Sequence, residues 1–265
     1  IAIKWIIRGA FMKKIALISC FVLFIITSPF AAFADMAAER ETLYQGSTIE
    51  ALLAGNYEGV ASVEKIKSQG DVGLGTFAGL DGEMIILDGV VYKAAATGKV
   101  TVEKDNVQSP FYAVTFFETD IADKINGKAA DLASLRTKLD DLRKRNDLPY
   151  AIVIKGKFQS IKVRSAGPYE PPFPPLSDAL KEQRVFDHKE ISGRLVGFWL
   201  PAYMGNTNAA GYHLHFLSED CQKGGHVLDL IINEADISMD ETPAFHIEFA
   251  PYPTKPLEKP DSYKS

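Results

Sequence analysis

The chain is 265 residues long, 46% hydrophobic and 24% charged, with a formal net charge of −5. That balance belongs to a globular protein and excludes disordered, collagen-like and coiled-coil chains. The negative charge argues against nucleic acid as the main partner, because phosphate binding needs a positive field.

Met12-Lys13-Lys14 opens a short basic region, Ile15 to Ile26 is apolar, and Ala32-Phe33-Ala34 has the small-residue pattern of a signal-peptidase site. Residues 1–34 are therefore read as an over-extended start, up to Met12, followed by an export signal cleaved after Ala34. The apolar run is short for a membrane span, and Pro29 follows it closely. The expected product is a soluble, exported protein, periplasmic or extracellular, with no membrane association after cleavage. The removed segment holds Lys4, Arg8, Lys13 and Lys14 and no acidic residue, so the remainder is more acidic than the whole. It retains a single cysteine, Cys221, which cannot close an internal disulfide, so the fold must rest on its core or on a metal.

Ser47-Thr48-Ile49-Glu50 has capping-box spacing and predicts a helix of about two turns that stops at Gly55. The glycine-rich segment Gly73 to Gly79 is read as a glycine-lined turn rather than a dinucleotide loop, because its third glycine comes one position late. Glu83 to Leu87 reads as a buried strand, Asp88-Gly89 as a tight turn, and Val90 to Ala94 as its return. Phe111 to Phe117 is a further strand. Leu132, Leu135, Leu139 and Leu142 recur at helical spacing and predict an amphipathic helix over about 128–145. Tyr150 to Ser165 alternates and is β-branched, which fits one long strand or a hairpin. Pro168, Pro171, Pro172, Pro174 and Pro175 crowd one crossing segment, taken as a domain boundary. A short helix near Leu176 to Gln183 follows, then strands at Ile191 to Leu200, Gly211 to Leu217 and Gly225 to Asn233. The tail from Tyr252 is rich in proline and lysine and is expected to be loosely ordered. The reading is a mixed α and β protein (α+β), strand-dominated, in two domains: 35–170 and 171–265.

Three of the five histidines carry the chemistry. His213 and His215 alternate on a strand and so share a face, and His226 stands on the next strand across a polar turn, within hairpin reach of His215. Three imidazoles from two strands with an open fourth position suit a catalytic divalent metal, zinc first. A hydrogen-bonded surface pair is the alternative. His188 and His246 stand apart. Cys221 is either an extra ligand or a bystander. Glu83 is either a half-exposed edge residue or a carboxylate aimed into a cleft, and Arg164 either a surface ion-pair partner or a carboxylate clamp.

These segments resemble the acetolactate decarboxylase family. The resemblance is carried by Ser47 through Gly59, by Gly73-Leu74-Gly75-Thr76-Phe77 through Glu83, by Gly197-Phe198, by Gly211 through Leu217, and by Gly224-Gly225-His226, within about Leu43 to Asp236. It implies a metal-dependent carboxy-lyase that converts 2-acetolactate to acetoin and carbon dioxide. It implies a first domain with a mixed sheet, an antiparallel β domain carrying the metal, and a homodimer. The family's metal-binding histidines fall on His213, His215 and His226, and its active-site glutamate and arginine on Glu83 and Arg164. Its C-terminal glutamate has its nearest counterpart in Glu258, although Pro256-Leu257-Glu258-Lys259-Pro260 departs from the usual segment. In this chemistry the metal is a Lewis acid for a developing enediolate, Arg164 holds the carboxylate and Glu83 handles a proton. Two competing readings are a cupin-type metal oxygenase using His213, His215 and Glu219, and an exported metal- or ligand-binding protein without turnover.

Overall fold

The computed structural model describes residues 40–127 and 129–255. The export signal read over 1–34, and Glu258, lie outside the described residues. Strand β1 (Thr42–Gly46) leads into helix α1 (Ile49–Leu53). The cap is Thr48, whose hydroxyl accepts from the Ala51 amide at 3.1 Å. Strand β2 (Ala61–Ser62) runs directly into α2 (Val63–Lys67), capped by Ser62. Then come β3 (Val72–Thr76), β4 (Glu83–Leu87), β5 (Val90–Ala94), β6 (Val100–Val102), β7 (Gln108–Ser109) and β8 (Phe111–Thr115). The β4–β5 hairpin turns as expected through Asp88 and Gly89, both at positive φ (53° and 73°).

The first part of the glycine-rich segment is a strand, not a turn. Gly75 lies between β8 and β4, and a Cβ there would stand 2.3 Å from the Phe111 carbonyl oxygen. Its glycines permit close strand contact, and the turn begins only after Thr76.

Strands β9 (Ile121–Ile125) and β10 (Ala130–Asp131) precede α3 (Leu132–Leu142), which is capped by the Asp131 carboxylate. The predicted leucine stripe faces inward, with Leu135 and Leu139 fully buried. β11 (Tyr150–Ser165) is one strand without a hairpin. After the proline crossing come α4 (Leu176–Ala179), β12 (Arg184–Leu200), β13 (Gly211–Ser218), β14 (Gly224–Glu241) and β15 (Ala244–Glu248).

Two large sheets result. One has the order β15-β1-β8-β3-β4-β5-β6 and is mixed, because β15 pairs parallel to β1 while the remaining neighbours are antiparallel. The other is antiparallel and closes on itself: β11 pairs with β12, β12 with β13, the end of β13 with the start of β14, and β14 back with β11. β10 and β9 continue along the rest of β14. Inside the ring, Phe158 meets Phe216 edge to face, with Leu195, Leu214, Leu230 and Ile232 around them.

The sheets do not divide the chain at the proline crossing. β11 lies before it but pairs with β12 along almost its full length, whereas β15, near the end of the described chain, returns to the first sheet. The prolines interrupt strand pairing only locally, and long-range hydrogen bonding overrides their position in sequence.

The first sheet packs one face on α2, through Val63, Ile66, Met84, Ile86 and Tyr112. Its other face lies on the ring, where Ile85, Leu87 and Ala94 meet Val196 and Leu217. Both faces of β4 are therefore covered, which is why the strand reads as a nearly continuous apolar run. Alternation then puts Glu83 on the same side as Ile85 and Leu87, facing the ring.

An acidic knot at one end of the ring has a measurable consequence. Asp240 is 1% exposed, accepts a hydrogen bond from the Glu118 amide at 3.1 Å, and faces Glu41, Glu118 and Asp120. Burial, reinforced by the neighbouring carboxylates, pushes its carboxyl up to about 8. The folded state therefore holds this proton more tightly than the unfolded chain, so stability is lost as pH rises from about 4 towards 8, at up to about 1.4 kcal/mol per pH unit. Asp240→Asn should melt higher than the parent at pH 8–9 in metal-free buffer, by about 2–4 °C for each kcal/mol recovered. The gap should close towards pH 4. Parallel melting curves across that range would refute the assignment.

Candidate active site

The three histidines meet where β13, β14 and β4 converge. His215 and His226 are direct register partners across β13 and β14, and Arg164 on β11 is the partner of His226 on its other side. His213, two residues before His215, shares its face. The ring centroids lie 5.1 Å (His213–His215), 4.9 Å (His213–His226) and 5.3 Å (His215–His226) apart. One nitrogen from each falls within 4.8 Å of the others. The turn before His226 is tight: Gly225 sits at φ +146°, and a Cβ there would come within 2.7 Å of the Arg164 carbonyl oxygen. α3 braces the far end of β13, with the Tyr212 hydroxyl donating to Asp140 at 2.6 Å and the Arg143 guanidinium 3.7 Å over the Trp199 ring.

All three imidazoles are held neutral. Burial, with the nearby Arg164 cation, pushes His213 down to about 4, and burial drives His215 and His226 well below the ordinary histidine value. His215 Nδ1–H donates to the Met84 carbonyl at 2.7 Å, which leaves the Nε2 lone pair facing the cluster. His226 Nδ1 lies 3.4 Å from that Nε2.

This donor set fits a divalent first-row metal. Two nitrogens each ~2.0–2.1 Å from a tetrahedral ion stand about 3.4 Å apart. His213 Nδ1 is buried without a hydrogen-bond partner, a costly state for a polar atom unless something else takes its lone pair. The Met84 carbonyl is the outer support that fixes the His215 tautomer, a common accompaniment of histidine ligands.

Of the two readings open for Glu83, the cleft holds. β4 is an interior strand, and Glu83 is 9% exposed. Its carboxylate lies 3.3 Å from Arg164 Nη1 and 3.4 Å from His215 Nε2. Burial raises this carboxyl to about 7, with Arg164 pulling the other way. Arg164 is likewise the cleft partner rather than a surface one, its side chain only 15% exposed.

These groups border a cavity of about 190 Å³. Glu83, Arg164, His213 and His226 form its polar side, and Ile49, Leu52, Leu80, Phe111 and Leu176 its apolar side. A small cavity with a few converging polar groups suits a small polar substrate with an alkyl part.

The remaining sequence candidates lie elsewhere. Glu219 is exposed and lines a separate cavity of about 390 Å³, and Cys221 borders the same space. The oxygenase reading therefore loses its carboxylate ligand, because β13 ends at Ser218 and the following turn carries Glu219 away from the imidazoles. His188 stacks near Phe186, and His246 lies beside Tyr44 and Glu248. Sequence reading missed the Met84 carbonyl and the apolar wall. A backbone acceptor has no side-chain signature, and the wall residues come from four separate segments.

Known proteins resemble this chain in sequence and in fold. The family model described as alpha-acetolactate decarboxylase matches residues 43–256. The chain is 42% identical to an alpha-acetolactate decarboxylase of Methanosarcina mazei over 208 residues, covering 78% of this chain and 72% of that one. It is 37% identical to one of Bacillus licheniformis, covering 76% of this chain and 79% of that one. The crystal structure of the Bacillus subtilis alpha-acetolactate decarboxylase superposes with a TM-score of 0.80 at 32% identity, covering 84% of this chain and 96% of that one. With a matched model across most of its length and relatives at this identity, the chain belongs to the alpha-acetolactate decarboxylase family of enzymes.

Proposed function

We propose that this protein decarboxylates 2-acetolactate to acetoin and carbon dioxide in the cavity between the first sheet and the ring. The observation that carries the reading is the convergence of three neutral imidazoles, His215 buried and His213 and His226 half-buried, with the Glu83–Arg164 pair around one small cavity. Family membership supports the choice of substrate. His213, His215 and His226 would hold a divalent metal, with zinc our assignment. When bound, the metal supplies positive charge beside the substrate's ketone and hydroxyl oxygens.

The chain's own residues do the rest. Loss of carbon dioxide breaks the bond between the carboxyl carbon and its neighbour and leaves an electron pair that spreads onto the adjoining carbonyl. Arg164 orients the leaving carboxylate through its planar fork. A grip much tighter in the ground state than at the transition state would oppose departure, and the partial share of Arg164 taken by Glu83 moderates it. Glu83, buried and held up near neutrality, takes the hydroxyl proton or delivers one to the carbanionic carbon from its own side. The apolar wall excludes water and receives the methyl groups. Glu258 is assigned to the same proton chemistry.

A colorimetric acetoin assay on purified protein, paired with elemental analysis, tests the reading. Dialysis against a chelator should lower acetoin formation by about 100-fold or more, and stoichiometric zinc should restore it. Absence of acetoin from the metal-loaded protein, or full activity after the metal has gone, refutes the proposal. Export after cleavage at Ala34 and a homodimeric state are further proposals, tested by cell fractionation with N-terminal sequencing and by light scattering. Among the described residues, no helix is long and apolar enough to cross a membrane.

A further inference from the structure

The three imidazoles are not equally supported. His215 lies in register between β12 and β14 and has the Met84 carbonyl against its ring, and His226 lies in register between β13 and β11. His213 pairs with Phe198 of β12 on one side, but the pairing of β13 with β14 begins only at His215. It stands two residues from the start of its strand, after Gly211 at φ +83°, and its Nδ1 is buried without a partner. The restraint on this end of β13 comes from α3. Tyr212 borders the cavity and, one residue before His213, turns its ring to the opposite side of the strand. Its hydroxyl donates to the Asp140 carboxylate at 2.6 Å and accepts from the Arg143 guanidinium, which closes the triangle by pairing with Asp140. Arg143 is itself fixed. Its side chain is 7% exposed and lies 3.7 Å over the ring of Trp199, the register partner of Tyr212 on β12. A guanidinium already stacked on a ring loses little further freedom when it binds a hydroxyl.

We propose that Tyr212 is a positioning residue for the histidine cluster: clamped by Asp140 and Arg143 at the end of α3, its hydroxyl gives the strand at His213 the second anchor that β14 gives at His215. The clamp acts through the backbone shared by Tyr212 and His213, and so sets where the least supported imidazole stands relative to the other two. This rests on the reading that the three imidazoles hold a divalent metal. The hydroxyl is the specific element. Phenylalanine keeps the ring but loses both the donation to Asp140 and the acceptance from Arg143. Methionine at position 143 keeps an apolar stem against Trp199 but cannot donate to Tyr212.

Two measurements decide the matter. The first is the affinity of the metal-free protein for cobalt(II), followed by visible absorption, in the parent, Tyr212→Phe, Arg143→Met and the double variant. Each single substitution should weaken binding by about tenfold, the lower end of what outer supports of a metal ligand contribute. The double variant should be no weaker than either alone, because both break one clamp. Unchanged affinity in Tyr212→Phe overturns the proposal, and so do losses that multiply in the double variant. Tyr203→Phe, which removes an exposed hydroxyl bound to the Asp147 carbonyl, is the control and should bind as the parent does. The second measurement needs no metal: amide hydrogen exchange along β13. Tyr212→Phe should speed exchange at Tyr212 to Leu214 by about tenfold and leave Phe216 and Leu217, which β14 holds, unchanged. Equal rates overturn the proposal, as does acceleration spread through β13 and β14, which marks a general loosening of the ring. Should the parent bind no cobalt, the metal assignment fails, and the exchange rates still decide whether the clamp holds His213.

Discussion

Alanine in place of His215 should remove both the bound metal and acetoin formation. The imidazole is the centre of the cluster: its Nδ1–H is held by the Met84 carbonyl, its Nε2 faces His226, and Glu83 lies 3.4 Å from it. Removing it takes away one of the three candidate ligands and the group whose tautomer the backbone sets. Metal content should fall from about one per chain to a trace, and turnover by about a thousandfold or more, equivalent to about 4 kcal/mol at the transition state. The change also removes the side-chain donor to the Met84 carbonyl, which β4's pairing with β3 and β5 leaves within the ladder. Circular dichroism should therefore accompany the assay, to show that the loss is not unfolding. His188→Ala, at a half-buried position outside the cavity, is the control and should keep both metal and rate. A His215→Ala protein that binds metal and turns over normally would remove the basis for the site.

Glu83→Gln should retain the metal and lose the rate. Glutamine matches the shape of the carboxyl group and can still accept from Arg164, but it cannot exchange a proton at the pH of the assay. A loss of about 10²–10⁴ in kcat, with little change in KM, is the signature of a group that acts in the transition state. Arg164→Lys separates orientation from charge. It keeps the cation beside Glu83 while discarding the planar fork, and kcat/KM should drop by about 10–100-fold, chiefly through KM. Full activity in Glu83→Gln would assign proton handling elsewhere, with Glu258 the next residue to replace.

Much of this arrangement is legible from short-range patterns. The cap at Thr48, the Asp88-Gly89 turn, the leucine stripe of α3 and the alternation along β13 each depend on neighbours a few positions apart. The pairing of His215 with His226 follows from a short polar turn between two strands, so it too is local. The family resemblance pointed to Glu83 and Arg164, which the structure places together at the cavity, whereas residue pattern alone left both open between surface and cleft. The expected division at the proline crossing shows where pattern reading stops. β11 precedes the crossing and β12 follows it, yet they pair throughout, because backbone hydrogen bonding depends on proximity in space and not along the chain.

The amino-acid sequence by itself determined which side chains could hold a metal and that three of them lie on two adjacent strands, because a period of two is written in the order of residues. Only the tertiary structure decided what surrounds them. It closed the second sheet into a ring, laid β4 against it so that Glu83 faces inward, tied His215 to a backbone carbonyl, and brought Asn56 to Lys255 across nearly the whole described chain. Those outcomes depend on the burial of apolar faces against partners far away in sequence, and such faces state how much they must cover without naming what will cover them.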